Sequence, residues 1–292
     1  MTGVNGSTIR NAMTVDVEDY FQVSAMEPYI ARAQWQQWPC FVERNTEKLL
    51  ALFAEHGIQA TFFVLGWVAE RYPNLIQQIA DNGHELACHG MDHTRAYTQT
   101  REQFAADIRQ SKTILEQCAG VAVRGYRAAS YSITRDNLWA LEELQQAGYA
   151  YSSSIYPVKR DLYGIPDAPR TPFRPARAQQ LIEIPVTTAQ LFGRNVPAGG
   201  GGFFRLFPYA MSRYLIQQVN DNDQFPAVFY LHPWEIDPEQ PRPNGLSWKT
   251  RVRHYLNLHR THDRLSQLLK DFSWGRMDDI FLTRPTPVFD LV

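Results

Sequence analysis

The chain is organised around the stretch Gly83-His-Glu-Leu-Ala-Cys-His89-Gly-Met-Asp-His93. Its first part predicts a brief strand over 84–87, and two histidines four residues apart follow that strand. On a helical turn this spacing places both imidazoles on one face, where each can direct a ring nitrogen at one divalent cation. The stretch therefore predicts a strand that ends in a metal site, with His89 and His93 as ligands.

A carboxylate cluster near the start of the chain offers a further ligand. Residues 12–17 predict a buried strand, and Asp16, Glu18 and Asp19 lie where it ends. Barrels and open α/β sheets place their chemistry at the carboxyl ends of strands. Either Glu18 or Asp19 would complete a site of two nitrogens and one oxygen, with a position left open for water.

Strand and helix patterns alternate along the rest of the chain. Strands are predicted over 12–17, 60–65, 84–87, 121–127, 149–156, 181–187 and 227–231. Helices are predicted over 41–56, 67–82, 100–118, 135–147, 209–220 and 248–271. This alternation predicts a parallel barrel or a doubly wound sheet in a single domain. The glycine run 199–202 lacks the Gly-Lys of a phosphate loop and predicts only a loop of permissive backbone.

Composition excludes several classes of partner. The net charge is −1, from 29 basic and 30 acidic residues without a basic block, which argues against nucleic acid and anionic membranes. Aromatic residues make up 13% of the chain, which indicates either a large core or rings that pack on sugars. The three cysteines form no Cys-x-x-Cys pair, so neither a disulfide framework nor a cysteine zinc site is expected.

The start of the chain bears on location. Residues 1–10 lack the basic start and the apolar stretch of a signal peptide. No run approaches the ~18 apolar residues of a spanning helix. A cytoplasmic location without a spanning segment is therefore expected.

Four candidate sites fall at predicted strand ends: the carboxylates, the histidine pair, Arg127 and His232. Their order resembles that of the polysaccharide deacetylases of carbohydrate esterase family 4, the NodB-like homology domain. The resemblance covers about Asn11 to Asp279. It is carried by Thr14-Val-Asp16-Val-Glu18-Asp19, His89-Gly-Met-Asp-His93, Arg127-Ala-Ala-Ser130 and Val228-Phe-Tyr-Leu231-His232.

One subgroup, tied to exosortase (PEP-CTERM) exopolysaccharide loci, is nearest to this chain. Its typical segments resemble Asp16-Val-Glu-Asp-Tyr-Phe21, Gly199-Gly-Gly-Gly-Phe-Phe-Arg205 and Leu231-His-Pro-Trp-Glu235. The resemblance implies a distorted (β/α)7-type barrel, with the catalytic barrel over 11–240 and a helical C-terminal extension over 241–292. It also implies removal of acetyl groups from an N-acetylhexosamine in an exopolysaccharide or its lipid-linked precursor.

The resemblance assigns roles to the candidate residues. Metal ligands would be His89, His93 and either Glu18 or Asp19, with Zn²⁺ the expected ion and another divalent cation as the alternative. Asp16 would be the general base, Arg127 would orient it, and His232 would be the general acid. Oxyanion and substrate contacts would come from Ser130, Tyr131 and Trp234.

Two positions depart from the family pattern. The proline of the third motif is Ala129 here, and the aspartate that supports the acid histidine in the subgroup is Ser152. A serine cannot stabilise an imidazolium electrostatically. Reduced activity is therefore predicted, or a substitute carboxylate from elsewhere, with Glu235 and Asp237 nearby in sequence.

Two other functions remain open from the sequence. The same site would also hydrolyse O-acetyl esters or other C–N amide bonds, and a weakened acid favours the ester because its leaving group needs less protonation. Alternatively, the protein binds sugars within a polysaccharide assembly complex with little turnover. The tail histidines, His254, His259 and His262, lie far from any carboxylate-rich strand end and are predicted to be structural. The sequence carries no signal for an oligomeric state.

Overall fold

A computed structural model of the chain describes residues 9–159 and 163–291. Most of the N-terminal segment used to predict the location, residues 1–8, lies outside this part, as do 160–162 and 292. The strands are β1 (Arg10–Val17), β2 (Thr61–Val64), β3 (Glu85–Cys88), β4 (Gly125–Tyr126), β5 (Tyr151–Ser152), β6 (Arg174–Pro175), β7 (Ile182–Glu183), β8 (Thr188–Leu191), β9 (Arg194–Pro197), β10 (Val228–Leu231), β11 (Ser273–Gly275) and β12 (Val288–Phe289).

The α-helices are α1 (Val42–Glu55), α2 (Gly66–Arg71), α3 (Pro73–Asp81), α4 (Arg101–Ala119), α5 (Trp139–Gln146), α6 (Gly201–Leu206), α7 (Tyr209–Asn222), α8 (Trp248–Tyr255), α9 (Leu258–Asp271) and α10 (Met277–Phe281). Short 3-10 helices cover Arg32–Gln37, Ala96–Thr98, Ala129–Tyr131, Arg135–Asn137 and Pro233–Ile236. In the part of the chain that the structure describes, no helix is both long and apolar enough to cross a membrane.

The main sheet is parallel and follows the order β10-β1-β2-β3-β4-β5-β7, with β11 also paired to β1. The central strand β1 is buried from Asn11 to Val17, and Thr14 lies in register with Tyr230 of β10 and Thr61 of β2. A strand buried on both faces needs a nearly continuous apolar run, which is the pattern seen in the sequence. The predicted distorted parallel barrel with flanking helices is confirmed.

Two predicted helices are each divided in the structure. The helix predicted over 67–82 is interrupted before Pro73, which lacks a backbone N–H and instead opens α3 at its first position. The helix predicted over 248–271 is divided into α8 and α9 at Asn257, whose φ of 55° is left-handed. These helix breaks depend on single residues within long amphipathic patterns.

The predicted strands 121–127, 149–156 and 181–187 each contribute only two paired residues, as β4, β5 and β7. Their apolar runs correctly mark burial, but burial does not require a hydrogen-bonded ladder. The C-terminal part also differs from a purely helical extension. In addition to α8, α9 and α10, it supplies β11, which pairs Ser273 with Arg10 at the start of β1.

Candidate active site

The carboxyl ends of the parallel strands meet at one rim of the barrel, and buried polar side chains converge there. Asp16 belongs to β1 and Glu18 follows it, while His89, Arg127 and His232 directly follow β3, β4 and β10. Parallel strands bring these positions together because all their carboxyl ends point the same way. The predicted residues that meet at this rim are Asp16, Glu18, His89, His93, Arg127 and His232.

Three of these residues form a candidate metal site. Ligand atoms of Glu18, His89 and His93 all lie within 4.8 Å of one another, and the three side chains are buried. His93 Nε2 lies 2.9 Å from Glu18 Oε2. Two imidazoles and one carboxylate are a donor set typical of a catalytic zinc site, so these residues fit a divalent cation.

The local backbone around the two histidines is not the predicted helical turn. Residues 89–95 are irregular, and Gly90 and His93 have φ of 80° and 59°. The left-handed conformation at these two positions turns the loop back toward the strand end. The assumption of a helical face was therefore wrong, although the two imidazoles do converge.

The surroundings prepare His89 and Glu18 as ligands. His89 Nδ1 donates to the backbone oxygen of Arg127 at 2.8 Å, which leaves Nε2 for the cluster. Burial lowers the pKa of His89 to about 4, so its imidazole is neutral as a ligand must be. Burial opposes ionisation of Glu18, but its interactions with the neighbouring His93 and His232 hold its pKa at about 2.

Asp19 lies apart from this cluster, and the prediction of Asp19 as an alternative ligand is wrong. Its Oδ1 accepts from the backbone N–H of Tyr20 at 2.8 Å. Its Oδ2 accepts from the backbone N–H groups of Phe41 and Val42, at the start of α1. A carboxylate at a helix N-terminus stabilises otherwise unpaired donors, so Asp19 anchors the loop after β1 to α1.

Asp16 is held by a fully buried guanidinium. Arg127 Nη1 donates to Asp16 Oδ1 at 2.5 Å and to Thr14 Oγ1 at 2.8 Å. Its Nε and Nη2 donate to the backbone oxygen and the hydroxyl of Ser153, and its Cζ lies 4.0 Å from the Phe63 ring centre. Burial alone would lower the pKa of Arg127, but Asp16 raises it, so the guanidinium stays charged. One oxygen of Asp16 is thereby fixed and the other is left toward the rim.

His232 faces the same space from the opposite side. Its Nε2 lies 3.3 Å from Glu18 Oε1 and 3.9 Å from Asp16 Oδ2. Its Nδ1 lies 2.6 Å from Glu235 Oε1, which also accepts from the His232 backbone N–H. Burial would lower the pKa of His232, but Glu18, Glu235 and Asp16 raise it to about 9. The raised pKa favours the imidazolium form, and Nε2 is the ring nitrogen that faces the rim.

The carboxylate that supports His232 is Glu235, one of the two predicted substitutes. Ser152 instead donates to Ser154 Oγ at 2.8 Å inside the barrel. The other predicted substitute, Asp237, accepts from Arg44 and Asn45. The alternative that a carboxylate from elsewhere takes the place of the missing aspartate therefore agrees with the geometry.

A second buried arginine was missed in the sequence. Arg205 Nε donates to Glu235 Oε2 at 2.6 Å. Burial opposes ionisation of Glu235, but Arg205 and His232 hold its pKa at about 2. The available signal was the Gly-Gly-Gly-Gly-Phe-Phe-Arg segment, which ends at Arg205.

The predicted oxyanion and substrate residues have mixed outcomes. Ser130 and Tyr131 adopt left-handed φ values of 54° and 53°, which are uncommon for residues other than glycine. The Tyr131 N–H already donates to the backbone oxygen of Ala128, so the prediction of Tyr131 as an oxyanion donor is wrong. The Ser130 N–H remains the candidate. Trp234 is only 5% exposed and stacks between His232 and His254, so its assignment as a sugar contact is wrong.

Comparison with known families divides the chain near its middle. Residues 35–152 match the family described as polysaccharide deacetylase. Residues 153–282 match a domain of unknown function, DUF3473. The barrel draws strands from both regions, since β2 to β5 lie in the first and β7, β10 and β11 in the second.

Individual relatives match parts of the chain. A peptidoglycan-N-acetylglucosamine deacetylase of Bacillus cereus is 32% identical over 99 residues, 34% of this chain and 36% of the relative. A chitooligosaccharide deacetylase of Rhizobium leguminosarum bv. trifolii is 35% identical over 83 residues, 28% of this chain and 39% of the relative. The chain thus spans less than half the length of these two relatives.

One solved structure covers almost the whole chain. It is a Mycobacterium smegmatis protein provisionally assigned as a polysaccharide deacetylase. It aligns with a TM-score of 0.63 at 20% identity, over 99% of this chain and 96% of its own. At this identity the likeness establishes the fold alone, and it extends through both matched regions.

Proposed function

We propose, on the premise that residues 35–152 belong to the polysaccharide deacetylase family, that this protein is a metal-dependent hydrolase of N-acetylated sugars. The observation that carries the proposal is the convergence of a His-His-Glu cluster with a carboxylate on one side and an imidazolium on the other. Amide hydrolysis needs these three elements: an electrophilic cation, a proton acceptor and a proton donor.

Glu18, His89 and His93 would hold the ion, and zinc suits two imidazoles and one carboxylate. When bound, such an ion supplies Lewis-acid activation of the acetyl carbonyl and of the attacking water. The Ser130 backbone N–H is the candidate donor to the developing oxyanion, because it lies three residues after Arg127 in a left-handed turn.

Asp16 would accept the proton of the attacking water. Its Oδ1 is fixed by Arg127, and its Oδ2 faces His232 Nε2 across 3.9 Å. Because Arg127 also bonds Thr14 and Ser153, the carboxylate cannot turn away from the reaction space. A charge-assisted pair of this kind keeps the base oriented.

His232 would donate a proton to the sugar nitrogen as the C–N bond breaks. The amine leaves poorly unless it is protonated, and a positioned acid or base contributes ~10²–10⁴-fold. Asp16 gains one proton and His232 loses one, so acetic acid and the neutral amino sugar are released with the charges balanced. The Glu235 carboxylate at Nδ1 supplies the support that Ser152 does not.

The substrate we propose is an acetylated amino-sugar polymer, specifically an exopolysaccharide or its precursor in the cytoplasm. The named relatives, which act on peptidoglycan N-acetylglucosamine and chitooligosaccharides, support the amino sugar. The exopolysaccharide rests on the three segments that resemble the exosortase-locus subgroup. The ester alternative loses its main motivation, because Glu235 restores support to the acid.

The test is acetate release by the purified protein, loaded with Zn²⁺, from N-acetyl chitooligosaccharides and from O-acetylated xylan. Turnover on the N-acetyl substrate that is lost on chelation and restored by Zn²⁺ is expected. Release from the O-acetyl substrate alone would replace the proposal with an esterase. Sugar binding without release from either would indicate the non-catalytic binding protein.

A further inference from the structure

Arg205 connects the proton donor to the C-terminal helices. Its Nε donates to Glu235 Oε2 at 2.6 Å, and both side chains are buried, at 3% and 1% exposure. Its Nη1 donates to the backbone oxygen of His254 at 2.7 Å and of Leu256 at 3.2 Å. Its Nη2 donates to the backbone oxygen of Arg253 at 3.3 Å. One guanidinium thus binds the Glu235 carboxylate, which contacts His232, and the carboxyl end of α8.

The glycine run explains how Arg205 reaches this position. Tyr230 of β10 donates its backbone N–H to Gly199 at 2.6 Å. Gly200 has φ of 110°, and a Cβ there would lie 2.2 Å from the Tyr230 backbone oxygen. Only glycine allows this approach, so the run lets α6 begin directly against the strand that ends in His232.

Ring stacking holds the same three segments together. Trp234 stacks on His232 with centroids 5.3 Å apart and on His254 with centroids 4.3 Å apart. Arg205 Cζ lies 5.1 Å from the Trp234 ring centre. Gln240 Oε1 accepts from His254 Nε2 at 2.7 Å, and its Nε2 donates to the Trp234 backbone oxygen. The ring of His232 is therefore held in one orientation with little room to move.

We infer that Arg205 is a positioning residue, which acts through Glu235 to fix His232 as proton donor, and that residues 153–282 supply the acid half of the active site. The inference rests on the proposed function. A buried ion pair is by itself weak evidence for stability, since desolvation offsets its attraction. This pair instead determines which nitrogen of His232 faces the rim and keeps a charge behind it.

Leaving-group dependence tests this role. We compare kcat on an N-acetyl chitooligosaccharide, whose amine must be protonated, with kcat on 4-nitrophenyl acetate, whose phenolate leaves unaided. Arg205→Met and Glu235→Gln are each expected to lower amide turnover ~10–100-fold, the usual effect of removing a partner that orients a catalytic ligand. Ester turnover is expected to stay within about threefold, because it does not need His232 as acid.

Two further variants separate positioning from folding. In the double variant Arg205→Met with Glu235→Gln no unpaired charge is buried, and its amide turnover is expected to equal that of Glu235→Gln alone. Arg264→Met is the matched control, because Arg264 also donates to backbone oxygens at the end of α6 but not to Glu235. Its ratio of amide to ester turnover is expected to match the wild type.

Nuclear magnetic resonance of ¹⁵N-histidine protein gives a readout independent of turnover. The wild type is expected to show a hydrogen-bonded Nδ1–H of His232, which Arg205→Met shifts and Arg264→Met does not. Equal loss of amide and ester turnover, or an unshifted signal, would overturn the inference. Failure of the proposed function would appear separately, as a wild type that releases no acetate from the amide.

Discussion

Two buried arginine–carboxylate pairs flank the reaction space, and they differ in what the second carboxylate oxygen does. In Arg127–Asp16 the pair binds through one oxygen and leaves Asp16 Oδ2 directed at the rim. In Arg205–Glu235 the second oxygen is already occupied by His232 Nδ1 at 2.6 Å. The open oxygen suits a group that takes up a proton, and the occupied one suits a group that orients its neighbour.

The two pairs also differ in how the fold positions them. Arg127 and Asp16 belong to adjoining regions of the barrel sheet, and their partners Thr14 and Ser153 lie on or beside its strands. The Glu235 pair joins a 3-10 helix, the glycine-led α6 and the end of α8. Strand register places the first pair, whereas three segments brought together by close packing place the second.

Removal of a metal ligand should have the largest effect on turnover and should lower amide and ester hydrolysis alike. His89→Ala is expected to lose bound zinc and to lower turnover ~10³-fold or more on amide and ester, because Lewis-acid activation is worth several kcal/mol. Metal content by mass spectrometry and acetate release measure this. His259→Ala, on the exposed face of α9, is the control, and an active His89→Ala protein would contradict the assigned site.

Replacement of Asp16, whose Oδ2 is left open toward the rim, should have the next largest effect on turnover. Asp16→Asn is expected to lower turnover ~10²–10⁴-fold while zinc stays bound, because the proton acceptor is lost and the ligands are not. Both amide and ester should be affected, since each needs an activated water. If Asp16→Asn kept its ester turnover, Asp16 would not be the group that activates water. The proposed difference in role between Asp16 and Glu235 would then be wrong.

Disturbing the close contact between Gly200 and the Tyr230 backbone should weaken only the positioning of His232, the proton donor. Gly200→Ala places a Cβ 2.2 Å from the Tyr230 backbone oxygen and is expected to lower the free energy of unfolding by ~1–3 kcal/mol. Amide turnover should fall about as in Arg205→Met, ~10–100-fold, with zinc retained.

The matched variant is Gly202→Ala, whose Cβ would meet nothing nearer than an Arg205 nitrogen at 3.9 Å. Urea unfolding and the ratio of amide to ester turnover should be unchanged there. A Gly200→Ala protein with wild-type amide turnover would show that the placement of α6 does not matter to His232.

The smallest effect on turnover is expected where the family aspartate is missing. Ser152→Asp would bury a carboxyl beside Glu183, whose own pKa is already raised by burial. The free energy of unfolding should fall by ~2–4 kcal/mol relative to Ser152→Asn, without a gain in amide turnover.

The pH dependence of the free energy of unfolding follows from burial, which should raise the pKa of the introduced carboxyl as it does that of Glu183. A carboxyl with a raised folded pKa binds its proton more tightly in the native state, so stability falls as pH rises through that range. The loss in free energy of unfolding of Ser152→Asp relative to Ser152→Asn, measured by urea unfolding, should therefore be larger at pH 8 than at pH 5. A faster Ser152→Asp enzyme would mean that Glu235 supports His232 incompletely.

Several features of the site could be predicted from residues alone. Asp16, His89 and Arg127 follow apolar runs, and the ends of parallel strands meet regardless of loop detail. The choice between Glu18 and Asp19 could not be made, because neighbours in sequence differ only in which way the backbone directs them. Trp234 was misassigned because an aromatic residue beside a catalytic histidine looks the same in sequence whether it is open or covered.

The sequence by itself determined a parallel sheet with flanking helices, the strand ends that carry the site and the order of the chemical groups, because periodicity and strand ends are local properties of the chain. Only the tertiary structure decided that Glu235 and Arg205 support His232. Their contacts join positions 30 and about 50 residues apart through a glycine run and a helix end. Such pairings depend on how distant segments pack, and no local pattern encodes them.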